Sequence, residues 1–193
     1  MRIIAGKFRS RQLKSLKGLS LRPSSDMLRE TLFNILGPRV ESSRFLDLFA
    51  GTGAVGIEAI SRGAHLAVFV ENHSAAGRLI RENLSLLEIT SEARVMASAV
   101  ATAITKLQSE RAAPFDFIFL DPPYAKEVDY ESTLDSLENS SLAGESTTVI
   151  AEHHRKFRMP KSVGHLQQFR TLAQGDAALT FYRKTTESKI SVL

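Results

Sequence analysis

Phe115-Asp116-Phe117-Ile118-Phe119-Leu120-Asp121-Pro122-Pro123-Tyr124 is the stretch that decides the fold. It opens as a nearly unbroken apolar run. Such runs mark strands buried on both faces, and these belong to parallel sheets covered by helices. The run stops at two prolines. Neither can donate to a sheet ladder, and each fixes its own φ. The chain therefore leaves the sheet at Asp121 with a stiff backbone. A carboxylate, carbonyls outside the ladder and an aromatic ring are presented together at the carboxyl end of a strand, where ligands bind in open α/β sheets. Alone, the stretch also fits a proline-terminated strand with a solvated Asp.

Outward from it, strand and helix patterns alternate. Upstream the spacing predicts strands over Arg44–Phe49, Leu66–Glu71 and Ala93–Ala97, and helices over Ala54–Arg62, Ala75–Leu87 and Val100–Glu110. Downstream it predicts a helix over Asp129–Glu138, a strand over Thr147–Glu152, and two more strands, Gln168–Leu172 and Ala178–Arg183, joined through Gly175-Asp176. Before all of these, Ser25 and Asp26 suit the start of a helix whose buried face is Leu28, Leu32, Ile35 and Leu36. Seven strands with interleaved helices predict an α/β fold with a doubly wound, mostly parallel sheet. A short link cannot make a parallel crossover, so one of the last two strands should be antiparallel.

Asp47-Leu48-Phe49-Ala50-Gly51-Thr52-Gly53-Ala54-Val55-Gly56 lies where the first strand enters a helix. Glycines at 51, 53 and 56 let the backbone approach an adenosine-bearing cofactor, and Glu71, 20 residues after Gly51, is placed to take ribose hydroxyls. Two features choose among cofactors. Asp47 would repel a pyrophosphate but tolerate a cationic amino group, such as the ammonium of S-adenosylmethionine. A nicotinamide enzyme, moreover, has no evident use for Asp-Pro-Pro-Tyr.

Charge and composition set further bounds. Cysteine is absent, which excludes disulfides and thiolate metal sites and fits a reducing, cytoplasmic location. Adjacent His153 and His154 point apart, so no metal is expected. No run of 18 apolar residues exists, hence no membrane span is predicted, and the N-terminus carries no signal-peptide pattern. Net charge is +4, yet the first 22 residues hold seven basic side chains and no acidic ones, leaving 18 basic against 21 acidic in the remainder. Such an arm reads as a footprint for phosphates, with Arg2, Lys7, Arg9, Arg11 and Arg22 as the gripping residues. The runs Arg2–Ala5 and Arg9–Leu13 suggest a small basic hairpin. The expected organisation is an RNA-contacting arm over 1–22, one domain over 23–185 and a frayed tail over 186–193.

Asp121-Pro122-Pro123-Tyr124 resembles the [DN]-P-P-[YF] motif of class I methyltransferases acting on planar amino nitrogens, and Asp47–Gly53 resembles their cofactor motif. Arg2–Arg9, Leu21–Asp26, Arg29–Asn34, Glu58–Ala64 and Asn83-Leu84 narrow the resemblance to the bacterial RsmD-type enzymes, 16S rRNA guanine-N2 methyltransferases. The likeness covers most of residues 1–124. It implies S-adenosylmethionine as cofactor and small-subunit rRNA, in an assembled or partly assembled subunit, as partner; monomer is the default expectation. It also implies cofactor contacts from Asp47, Phe49, Gly51, Gly53 and Glu71. The Asp121 carboxylate and Pro122 carbonyl would take the hydrogens of the acceptor amine, and Tyr124 would stack on an extruded base. Two departures stand out. Ala97-Ser98-Ala99 replaces the polar residue that usually meets the adenine, leaving Ser98 or backbone for that contact. Gln174-Gly175 stands where an aromatic usually precedes the glycine. Three other readings stay open: an adenine-N6 methyltransferase, a nicotinamide-dependent oxidoreductase, and an RNA-binding assembly factor without catalysis.

Overall fold

The computed structural model describes residues 1–15, 26–122 and 128–185. Ser25, Arg22, Pro123, Tyr124 and the tail over 186–193 lie outside the described residues. Helix α1 (Asp26–Leu36) is followed by a 3-10 turn at Gly37–Val40. Then come β1 (Arg44–Leu48), α2 (Ala54–Ser61), β2 (Leu66–Val70), α3 (Ser74–Leu86), β3 (Ala93–Met96), α4 (Val100–Ser109), β4 (Phe117–Leu120), α5 (Val128–Glu138) and β5 (Thr148–His154). Strands β6 (Ser162–Val163), β7 (Leu166–Gln174) and β8 (Ala177–Lys184) complete the sheet.

The sheet order is β3-β2-β1-β4-β5-β8-β7-β6. Strands β1 to β5 are parallel; β8 runs antiparallel to β5 and β7, and β6 antiparallel to β7. Where seven strands are expected, the described residues form eight, and two of these, β6 and β8, run against the rest. The extra strand, β6, has two residues and carries no periodicity to read. Strand β5 also runs on through His153 and His154, which the sequence reading left beyond its end.

Each sheet face buries its own core. Phe33, Phe45, Ile57, Phe69, Phe119 and Phe181 fill the side covered by α1, α2 and α3. Leu46, Leu48, Ile104, Leu107, Ile118 and Leu134 fill the side covered by α4 and α5. Burial on both faces is what made these strands read as continuous apolar runs. The crossovers diverge between β1 and β4, so the carboxyl ends of those two strands flank the switch-point crevice. Among the described residues, no helix is long and apolar enough to cross a membrane.

The N-terminal segment is pinned to the body. In place of two paired strands it has a single antiparallel bridge, Arg2 to Gln12, while Ile3 and Leu13 are buried in the core. Its anchor is Glu58 of α2, fully buried, whose carboxylate accepts the Ile4 and Ala5 N–H groups at 2.8 and 3.0 Å. Beside it, Lys7 N–H donates to the Ser61 carbonyl at 2.7 Å. This approach is so close that a Cβ on Gly6 would fall 1.7 Å from that oxygen, so only glycine fits.

Candidate active site at the carboxyl edge of the sheet

The turn after β1 is wound tightly. Phe49, Gly51 and Gly53 all adopt positive φ, at 62°, 55° and 78°. A phenylalanine in that conformation is strained, and such strain collects at functional turns. Asp47 sits beneath the turn, 1% exposed, and its Oδ2 accepts the Gly56 N–H at 2.9 Å inside the first turn of α2. One carboxylate oxygen therefore organises the helix start. Burial pushes the Asp47 carboxyl up to about 7; the Gly56 N–H pulls the other way, and Glu71 and Glu152 add to the rise.

The sign of this shift gives a prediction. An acid raised on folding costs stability once it ionises, so the cost grows from the ordinary carboxylate range up to about pH 7 and is complete above it. Asp47→Asn keeps an acceptor for Gly56 and removes the charge. The cofactor-free variant should therefore be more stable than wild type at alkaline pH, by on the order of 1–3 kcal/mol. Urea unfolding at several pH values checks this, and the gap should close towards acidic pH.

Glu71 follows β2 and ties the crevice together. Its Oε2 accepts the Gly51 N–H at 2.8 Å and its Oε1 the His73 N–H at 2.7 Å. The carboxylate thus already stands against the glycine turn. Ser98, after β3, has its Oγ shut off from solvent with no hydrogen-bond partner. Such an orphan is costly to bury and fits a contact that a ligand completes.

The register places the other carboxylates. Asp47 pairs with Phe119, and Phe119 with Ile150, so these share one sheet face. Two residues on stand Asp121 and Glu152, returned by the pleat to that face. Burial pushes the Asp121 carboxyl well above the usual range, and the neighbouring Glu152 and Asp47 push it further. Pro122 is buried beside it. Sequence reasoning missed Glu152, although a carboxylate ending the apolar run of β5 was there to be read. His153, next in the strand, is a buried core residue: its Nε2 meets Thr180 Oγ1 at 2.8 Å, and burial lowers its pKa.

The expected phosphate-gripping cations are partly engaged by the body. Lys7 Nζ donates to Glu92 Oε1 at 3.0 Å and draws that carboxyl down to about 2. Arg2 lies 3.9 Å from Asp26, and Arg11 donates to the Leu86 carbonyl at 3.3 Å. Arg9 is exposed. These are surface contacts of small worth. Asn83 of α3 accepts the Lys14 N–H at 2.8 Å and donates to the Lys14 and Thr52 carbonyls, each at 3.2 Å. The arm and the glycine turn thus share one buried side chain.

The family model described as conserved hypothetical protein 95 matches residues 1–183. YlbH of Bacillus subtilis is 37% identical over 95% of this chain and 99% of its own length. Ribosomal RNA small subunit methyltransferase D of Escherichia coli is 30% identical over 98% of this chain and 92% of its own length. The solved structure of Escherichia coli YhhF superposes with a TM-score of 0.82 at 29% identity, covering 97% of this chain and 99% of that one. With that coverage, and with the sheet and the Asp121-Pro122 edge described above, the chain belongs to the conserved hypothetical protein 95 family, the RsmD-type methyltransferases of Rossmann-like class I fold.

Proposed function

We propose that this protein transfers a methyl group from S-adenosylmethionine to the exocyclic N2 amine of a guanine in small-subunit (16S) ribosomal RNA. We further propose that it works in the cytoplasm, as a monomer, on an assembled or partly assembled small subunit. The observation that carries the reading is Asp121-Pro122 at the end of β4, directly across the switch point from the Glu71–Gly51 clamp. The name of the Escherichia coli relative supports the choice of RNA.

The residues suit this cofactor. Glu71 can exchange backbone donors for ribose hydroxyls, and Ser98 Oγ lacks a partner that an adenine nitrogen would supply. Asp47, Phe49, Gly51 and Gly53 form the turn against which the cofactor would lie. The buried acids of this face favour a cationic ligand. When bound, the cofactor supplies an electrophilic methyl on a sulfonium.

The chain's own residues do the positioning. The lone pair of an aromatic amine is delocalised into its ring, so the nitrogen is a poor nucleophile. Asp121 and the Pro122 carbonyl accept its two hydrogens, favour a more tetrahedral nitrogen and turn the lone pair towards the methyl. Asp121 can take the proton released afterwards. Tyr124 is assigned to stack on the extruded base. The arm residues Arg2, Lys7, Arg9, Arg11 and Arg22 are assigned to backbone phosphates.

The test is methylation of small subunits, taken from cells lacking this gene, by purified protein and labelled cofactor. Nucleoside mass spectrometry should find N2-methylguanosine at one site. Label in N6-methyladenosine instead, or none at all, would defeat the reading.

A further inference from the structure

Strand β7 carries an irregularity that exposes an aromatic ring. Gln168 pairs with Tyr182, but Arg170 pairs with Phe181, so Phe169 is an extra residue in the ladder. A bulge of this kind puts two consecutive side chains on one face. Phe169 is 52% exposed, its ring 6.1 Å from that of Phe181. The Arg183 guanidinium lies 5.0 Å over Phe169, and that of Arg170 lies 5.9 Å from Phe181. Neither arginine has an ion pair among the described residues. Phe181 pairs with Ile150, which shares the face of Asp47, Asp121 and Glu152. The Arg–Phe–Arg cluster therefore shares that sheet face, towards the far edge of the sheet and nearer the amino ends of the parallel strands than Asp121 and Glu152.

Charge singles out the same region. Residues 155–184 hold seven basic side chains against Asp176 alone, whereas residues 23–154 hold ten basic against 19 acidic. Two of the seven are engaged: Arg155 lies 3.5 Å from Asp176, and Lys184 donates to the Glu138 and Ser140 carbonyls. Arg158 and Lys161 are exposed, as are Arg170 and Arg183. An acidic body thus carries a second basic segment, far in sequence from the arm, and within it Arg170 and Arg183 stand at the Phe169–Phe181 rings.

We propose that Phe169, Arg170 and Arg183 form a second RNA contact, in which an unpaired base beside the target stacks on the Phe169–arginine platform while its phosphates meet the surrounding cations. Exposed aromatic rings bind single strands by stacking, and arginines beside them add phosphate contacts and cation–π stacking. The proposal rests on the reading of RNA as substrate.

Binding of a fluorescein-labelled oligouridylate and of small ribosomal subunits, measured across salt concentrations, tests it. Phe169→Ala should weaken both about ten-fold without changing the salt dependence. Arg170→Gln and Arg183→Gln should each lower the slope against log salt by about 0.7 on the oligouridylate. S-adenosylhomocysteine affinity and melting temperature should stay at wild-type values in all three. Oligouridylate affinity of Phe169→Ala within two-fold of wild type overturns the proposal. So does a patch that binds polyglutamate, loses it on Phe169→Ala, and leaves RNA binding intact. Wild-type protein that methylates no rRNA would defeat the functional reading. Wild-type methylation with RNA binding indifferent to the patch would defeat only this one.

Discussion

Asp121→Ala is expected to lower single-turnover methylation of small subunits by about 10²–10³-fold, the usual cost of removing one preorganised polar group from a reaction centre. S-adenosylhomocysteine should still bind, because the glycine turn and Glu71 lie on other strands. Asparagine keeps an acceptor of the same length, so Asp121→Asn should retain much more activity than the alanine variant. Alanine and wild type turning over at equal single-turnover rates would end the role given to Asp121.

The same side chain predicts a pH profile. Burial, Glu152 and Asp47 all raise the Asp121 carboxyl. An ionised carboxylate accepts the amine hydrogens; its protonated form offers a donor to one of them. Activity should therefore rise with pH through a range above that of ordinary carboxylates, and Asp121→Asn should flatten that part of the profile. Glu152→Gln removes one of the charges raising Asp121, so it should move the rise to lower pH.

The parallel half of the fold was legible because its chemistry is local. Phe117–Leu120 and Leu66–Val70 are buried on both faces, and continuous apolar runs announce that. Asp121-Pro122 and Gly51–Gly53 could be read for the same reason: the backbone consequence of proline or glycine does not depend on distant partners. What stayed hidden depends on contacts between segments. Two residues of β6 carry no period. Phe169 reads as an ordinary strand residue until pairing with β8 leaves it over. Arg170 and Arg183 stand far apart in the chain and come to the Phe169–Phe181 rings only when β7 pairs with β8. Glu58 is the clearest case. In the sequence it is the acid of an i,i+4 pair with Arg62, a typical solvated helix face. In the structure it is fully buried beneath a segment more than fifty residues away in sequence.

Glu58→Ala should accordingly be among the most destabilising substitutions in the protein. The carboxylate accepts Ile4 N–H, Ala5 N–H and Arg62 Nε, the last at 2.8 Å, and faces Arg29 Nε at 3.6 Å. The Arg29 side chain is itself wholly buried, donating to the Arg2 carbonyl and to Asp26. Removing Glu58 leaves the buried guanidinium with the half-exposed Asp26 as its remaining acidic partner among the described residues, and two N–H groups without an acceptor. Breaking a buried pair in this way costs about 3–5 kcal/mol. In a domain of this size, that is a fall in melting temperature of roughly 6–20 °C. A loss of a degree or less would show that Glu58 does not anchor the arm. Hydrogen exchange separates release of the arm from general loosening: Ile4 and Ala5 should lose protection well before the β1 and β4 amides. Replacing both members, Glu58→Leu with Arg29→Met, removes the stranded charge and should recover part of the stability. It should not restore the arm, because the backbone N–H groups of Ile4 and Ala5 still have no acceptor. The double variant therefore separates the two duties of Glu58: neutralising Arg29 inside the core, and holding the N-terminal segment against α2. If the arm grips rRNA, that stable but unpinned protein should bind cofactor normally and methylate small subunits poorly.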